Sequence, residues 1–158
     1  MQSFKKCNNY KYIMSQETGY IRLISHGIKP SVQRIAIIDY LIENKTHPTV
    51  DMIFNDLYPK IPTLSRTTVY NTLKLLAEQG AILMLTIDDK NSRYDADITP
   101  HAHFRCNKCG CIKDMAIKDY FPFDDNAKKI EITEIQLYCK GYCEQCLRNI
   151  DNKKTEIN

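Results

Sequence analysis

The sequence predicts an α+β chain in two parts, a helical part leading and a small mixed α/β module following. Three observations carry this. Apolar residues recur at helical spacing from Tyr20 to Leu76. Two strand-like runs then flank the turn residues Asp88 to Asn91. At Thr99-Pro100 the backbone favours extension and the composition changes abruptly to His and Cys. The domains are therefore expected at 1–98 and 99–158, with a hinge between Asp97 and Pro100, a flexible N-terminal extension and a loose tail from Asn152.

The first helix is expected at Tyr20 to Ile24, stopped near Gly27. Ser31 offers an oxygen to cap a second, with Val32, Ile35, Ile38, Leu41 and Ile42 at helical spacing. A third starts at Pro48, whose fixed φ suits a first turn, and carries Val50, Ile53, Phe54 and Leu57 inward before Pro59. Ser65 caps a fourth, in which Val69, Leu73 and Leu76 form the apolar stripe, and Gly80 ends it. The runs Ala81 to Ile87 and Ser92 to Ala96 then read as a β-hairpin. Helix, turn, helix and hairpin make an N-terminal winged helix-turn-helix. In the second part, strands are expected at His103 to Cys106, Ile112 to Met115 and Ile130 to Tyr138, with a helix around Asp124 to Lys129.

The net charge of +3 is only weakly basic. Up to Ile98 there are 12 Lys and Arg against 10 acids, and after it 10 against 9. Charge alone does not announce a DNA binder. Seven cysteines is an odd number, the N-terminus has no apolar leader, and no run approaches the ~20 apolar residues of a membrane span. The chain therefore reads as cytoplasmic with no membrane partner, and in a reducing compartment paired Cys-x-x-Cys spacings point to metal before disulfide.

Cys106-x-x-Cys109-Gly110 and Cys143-x-x-Cys146 each place two thiolates on a tight turn, which lets four sulfurs share one tetrahedral Zn²⁺. Four soft thiolates leave no open position, so the zinc is structural, and it supports a module too small to stand comfortably alone. The competing reading is a pair of thiol–disulfide motifs or buried free thiols. Cys111 and Cys139 read as ordinary strand positions and Cys7 as an exposed thiol.

Just before the first pair stands His101-Ala-His103-Phe-Arg-Cys106. In a strand, His101 and His103 share one face while Phe104 and Cys106 share the other, so one segment can serve two sites. Ordinary strands also contain His-x-His pairs. Context adds Asp114 on the next strand, Asp95 at the end of the hairpin and His47 before the third helix. These five make a nitrogen and oxygen set suited to Fe²⁺, Mn²⁺ or Zn²⁺, and an ion bound by all of them clamps the two parts together. His26 reads as solvated.

In a winged helix the second helix of the helix-turn-helix enters the major groove near its N-terminus. Here Ser65, Thr67 and Thr68 suit phosphates, Arg66 and Asn71 can reach base edges, Tyr70 can stack, and Lys74 continues the polar side. The alternative is an ordinary solvated helix face.

Together, Arg66-Thr-Thr-Val-Tyr-Asn-Thr-Leu, Ser92-Arg-Tyr-Asp95, His101-Ala-His-Phe-Arg-Cys-Asn-Lys-Cys-Gly110 and Cys143-Glu-Gln-Cys146 resemble the ferric uptake regulator superfamily, from about Ile21 to Cys146. The resemblance implies a winged-helix domain followed by a dimerisation domain, a homodimer on a palindromic double-stranded DNA operator, and repression with metal bound. The peroxide-responsive branch is the most similar. There, iron or manganese occupies a site of three histidines and two aspartates, filled here by His47, Asp95, His101, His103 and Asp114. The branch implies that Fe²⁺ at this site reacts with hydrogen peroxide, that His47 or His101 is oxidised, and that the repressor lets go. Iron-responsive relatives usually carry glutamate at the position of Asp95, and several use a further histidine in the stretch corresponding to Glu131 to Tyr138, which has none here. The family's proline opening the second helix is replaced by Val32. The rival within the family is an iron, manganese or zinc uptake regulator with reversible metal binding. A metalloenzyme or thiol oxidoreductase lacks a placed general base and a substrate pocket, so the chain is not read as an enzyme.

Overall fold

A computed structural model describes residues 18–118, 130, 131 and 133–155. The chain forms two compact units, one from the residues up to Met84 with Tyr94–Ile98, the other from Leu85–Arg93 with the residues from Thr99 onward.

The first unit is built of helices with a short hairpin. Helix α1, Gly19–Ser25, begins where the Thr18 side chain accepts from the Ile21 amide, and it ends at Gly27, whose φ of +68° few other residues adopt readily. Helices α2 (Val32–Glu43), α3 (Val50–Leu57) and α4 (Arg66–Glu78) start on Ser31, Thr49 and Ser65, each accepting from the amide three residues on. Pro48 thus precedes the cap of α3 rather than sitting in its first turn, because Thr49 satisfies an orphan amide that proline could not. Gly80, at φ +68°, closes α4 as expected. Strands β1 (Leu83–Leu85) and β2 (Arg93–Asp95) form a two-stranded sheet, shorter than the hairpin runs suggested.

The core of this unit gathers Leu23, Ile37, Ile38, Leu41, Ile53, Val69, Leu73, Leu76, Ile82 and Tyr94. The apolar stripe of α4 is fully buried, as its spacing predicts. On α2 the inward side is rotated: Val32 is 76% exposed and Ile37, not in the expected set, is inside. The first turn of that helix protrudes beyond the core it packs on. Gly19 fits tightly, since a Cβ there would stand 2.3 Å from Ile38 Cγ2, and its amide donates to Asp39 Oδ1 at 2.6 Å.

The second unit centres on a three-stranded sheet, order β4-β3-β5. Strand β3 (Ala102–Cys106) runs antiparallel to β4 (Ile112–Met115), with His103 opposite Asp114, and parallel to β5 (Leu137–Gly141), with His103 opposite Tyr138. Helix α5, Glu144–Thr155, follows. Strand β5 starts later than the expected Ile130, because residues 130, 131 and 133–136 carry no regular ladder. The helix expected at Asp124 to Lys129, and Cys7, lie outside the described residues. The segment Leu85–Arg93 belongs to this unit through side-chain bonds: the Thr86 amide donates to Tyr138 Oη at 2.9 Å, and Asp88 pairs with Arg93 and Arg105 at 2.8 and 3.4 Å.

Candidate metal centres and nucleic-acid face

The thiol cluster is built by two turns of the second unit. After β3 the chain reverses through Cys106 to Cys109, closed by bonds from the Gly110 amide to the Cys106 carbonyl (2.9 Å) and from the Cys106 amide to the Cys111 carbonyl (3.0 Å). Gly110 turns at φ +72°, which any Cβ would strain. The second turn opens α5, and the Cys143 amide donates to Cys106 Sγ at 3.3 Å. Amide donation from Cys109 and Cys143 pulls the Cys106 thiol down to about 5, favouring the thiolate a metal needs. Burial pushes the Cys146 and Cys111 thiols up to about 12.

The described cysteines are free thiols. The Cys109 and Cys143 sulfurs are 3.7 Å apart. Two thiolates about 2.3 Å from a shared tetrahedral ion stand roughly 3.8 Å apart, whereas a disulfide spans about 2.05 Å, so the spacing fits zinc and not oxidation. Cys106, Cys109 and Cys143 gather as expected, and Cys111 gathers with them, all four offering sulfurs within 4.8 Å of one another. Cys146, buried, lies against Cys143, Cys109 and Cys106. Cys111 is thus no ordinary strand residue: it precedes β4, and only its Cys-x-Cys spacing from Cys109 signalled this. Cys139 lies within β5, as read.

A second constellation stands on the other side of β3. His101 Nδ1 is 2.7 Å from the Thr99 carbonyl, which only accepts, so Nδ1 carries the proton and the Nε2 lone pair is freed. That nitrogen lies 2.9 Å from His103 Nε2. Asp114 Oδ1 is 3.6 and 3.7 Å from the two, placed by its register opposite His103. Two imidazole nitrogens and a carboxylate oxygen converge on one point, a donor set for Fe²⁺, Mn²⁺ or Zn²⁺. Ligation by both imidazoles uses the Nε2 lone pair of each. Asp114 is 39% exposed while both imidazoles are nearly covered.

In the first unit, His47 Nε2 and Asp95 Oδ2 are 3.4 Å apart and both buried. Asp95 Oδ1 accepts from the Asp97 amide at 2.9 Å, which orients the carboxylate. His47 has φ +50°, the only non-glycine in that region among the described residues, a conformation that costs energy and collects at functional sites. His26, expected to be solvated, instead brings Nδ1 within 2.9 Å of the Arg22 carbonyl at the end of α1.

On α4, the expected reading residues Ser65, Arg66, Thr67, Tyr70, Asn71 and Lys74 are exposed and Thr68 is half-buried. Ser65 and Thr68 are tied up in the cap, their hydroxyls 2.8 Å apart. Arg66 is drawn onto α3, its Nε 2.7 Å from Asp51 Oδ1 and its guanidinium 4.4 Å from the Phe54 ring centre. A cleft of about 370 Å³ beside Thr68 and Asn71 is lined by Lys29, Gln33 and Arg34 at the start of α2. None of the three was singled out in the sequence, where nothing but the charge of Lys29 and Arg34 marked them.

A hairpin-flanked helix-turn-helix unit and a sheet unit bearing thiol and imidazole clusters define a winged-helix regulator of the metal-binding kind. The ferric uptake regulator family profile matches residues 25–140. The peroxide-responsive repressors PerR of Staphylococcus epidermidis and of Staphylococcus aureus strain Mu50 are each 34% identical over 123 residues, 76% of this chain and 82% and 83% of theirs. A solved Helicobacter pylori ferric uptake regulator shares the fold at TM-score 0.61 and 21% identity, covering 81% of this chain and 88% of that one. The chain belongs to the ferric uptake regulator family, a family of metal-responsive regulators. No described helix is long and apolar enough to cross a membrane.

Proposed function

We propose that the protein is a cytoplasmic, non-enzymatic repressor that binds a palindromic operator as a homodimer when metal-loaded and senses hydrogen peroxide at an iron site. Residues 1–98 form its DNA-binding domain and 99–158 its dimerisation domain. Cys106, Cys109, Cys143 and Cys146 hold structural zinc, and one regulatory Fe²⁺ or Mn²⁺ takes His101, His103 and Asp114 from one unit and His47 and Asp95 from the other. The observation that carries this reading is the approach of His101 and His103 through Nε2 at 2.9 Å with Asp114 beside them. The 34% identity to named peroxide-responsive repressors supports the effector.

Bound Fe²⁺ supplies the electrons that reduce hydrogen peroxide and so allow oxidation of a neighbouring imidazole. The protein's own residues do the rest. Thr99 fixes the tautomer of His101, Asp97 fixes the carboxylate of Asp95, and burial of His103 and His47 confines the reaction to ligands in place. An oxidised His47 or His101 binds metal poorly, so the clamp opens and DNA affinity falls, a coupling worth roughly 1–3 kcal/mol or 5–150-fold. Ser65, Arg66, Thr67, Thr68, Tyr70, Asn71 and Lys74 present the DNA-reading side. Base contact by Arg66 requires it to exchange Asp51 for DNA.

The test is operator binding by Fe²⁺-loaded and Mn²⁺-loaded protein before and after a brief peroxide dose, with histidine oxidation read by mass spectrometry. Loss of binding with iron alone, together with oxygen added at His47 or His101, is expected. Unmodified histidines and retained binding with iron would sink the peroxide reading and leave a reversible uptake regulator.

A further inference from the structure

Five thiols stand at a site that can use four. Cys106, Cys109, Cys111 and Cys143 offer sulfurs within 4.8 Å of one another, while the buried Cys146 lies against Cys106, Cys109 and Cys143. The two sets share three members and differ in one. Zinc in a closed thiolate site is tetrahedral, so all five cannot bind at once.

We propose that Cys111 and Cys146 are interchangeable fourth ligands to a zinc ion fixed by Cys106, Cys109 and Cys143. This rests on the zinc reading given above. The two competitors arrive from different elements. Cys111 follows the turn at Gly110 and is held to the first knuckle by its carbonyl, which accepts the Cys106 amide at 3.0 Å. Cys146 comes from the first turn of α5, one helical turn after Cys143, whose carbonyl accepts the Leu147 amide at 2.9 Å. Exchange therefore needs no rearrangement of the three shared ligands: one sulfur leaves the ion as the other enters, its proton passing to the thiol released. The module keeps its zinc when either competitor is alkylated or oxidised.

The experiment uses full-length protein carrying Cys111→Ser, Cys146→Ser or both, beside the unaltered chain. Zinc is counted by native mass spectrometry, and the number of thiolates is read from the sulfur-to-metal absorption of Co²⁺-substituted protein. Both single variants should retain one zinc and a four-thiolate cobalt spectrum, whereas the double variant should fall to three thiolates and lose zinc at least tenfold more readily to a chelator. A three-thiolate spectrum in either single variant makes that residue obligatory and overturns the proposal, as does a double variant indistinguishable from the singles. The spectrum reports ligation in the folded fraction, so a variant that folds poorly still decides between these outcomes. An unaltered chain without zinc overturns both this proposal and the zinc reading, whereas zinc in the unaltered chain with loss in Cys146→Ser overturns this proposal alone.

Discussion

His101 shows how much of a metal site is decided by a bond away from the metal. Its Nδ1 bond to the Thr99 carbonyl leaves Nε2 as the only lone pair, aimed at His103. Substituting His103 by Ala removes a nearly covered imidazole, and metal affinity measured by competition with a chromogenic chelator should fall at least about tenfold, within the range that disturbed ligation costs. Asp95→Glu is milder. The extra methylene pushes the carboxylate beyond its bond to the Asp97 amide, so Mn²⁺-dependent operator binding should survive while peroxide sensitivity of the iron form drops, which timed peroxide exposure followed by gel shift would reveal. The pairing of His101 with His103 and of both with Asp114 was legible because period-two alternation and a facing aspartate can be read along a chain. Cys111 was not, because its place depends on the Gly110 turn, nor was the burial of Arg22, whose guanidinium donates to the Ala96 carbonyl far along the chain.

At the scale of elements, caps and stripes were the dependable signals. Ser31 and Ser65 cap as their position suggests, and the Val69, Leu73, Leu76 stripe is buried along α4. Ser65→Ala should cost about 1 kcal/mol, and Leu73→Ala about 2–5 kcal/mol, both readable from urea denaturation of the metal-free chain. Because Ser65 lies on the proposed DNA-reading side, its variant should weaken operator binding beyond the loss in stability. Strand limits were harder to read: β1 and β2 are three residues each, and β5 begins only at Leu137, since strand length is set by partners distant in sequence. The attachment of Leu85–Arg93 to the second unit likewise depends on Asp88 meeting Arg105. Hydrogen bonding from Arg93, reinforced by the Lys90 amide, holds the Asp88 carboxyl below its ordinary 3.8. A carboxyl lower in the folded than in the unfolded chain contributes stability in full above its unfolded value and loses it as pH falls through the folded one. Thermal melts from about pH 5 down to about pH 3 should therefore show a loss of stability that is smaller in Asp88→Asn.

For the whole molecule, the two units differ in what sustains them. The helical unit closes around a continuous apolar core, while among the described residues of the sheet unit few large apolar side chains are buried and the thiols stand in their place. Stripping zinc with a strong chelator should accordingly release the β3, β4 and β5 amides to rapid hydrogen exchange while those of α2 and α4 stay protected. Loss of protection in both units together would mean that zinc supports more than the sheet unit. The two-part plan, the order of helices and the winged character could be read from periodicity and turns, whereas the rotated inner side of α2 could not, because Val32 and Ile37 are equally apolar.

Strand β3 has Phe104 against Gly141 and Cys106 in the thiol cluster on one side, with His103 and Asp114 on the other. A slip of one residue would exchange the sides, sending imidazole toward the thiols and Ala102 or Phe104 toward Asp114. The thiol knuckle at the end of the strand is therefore a frame stop: by pinning Cys106 it sets which parity of residue points each way. The thiol centre thus decides whether the imidazole and carboxylate centre can assemble at all.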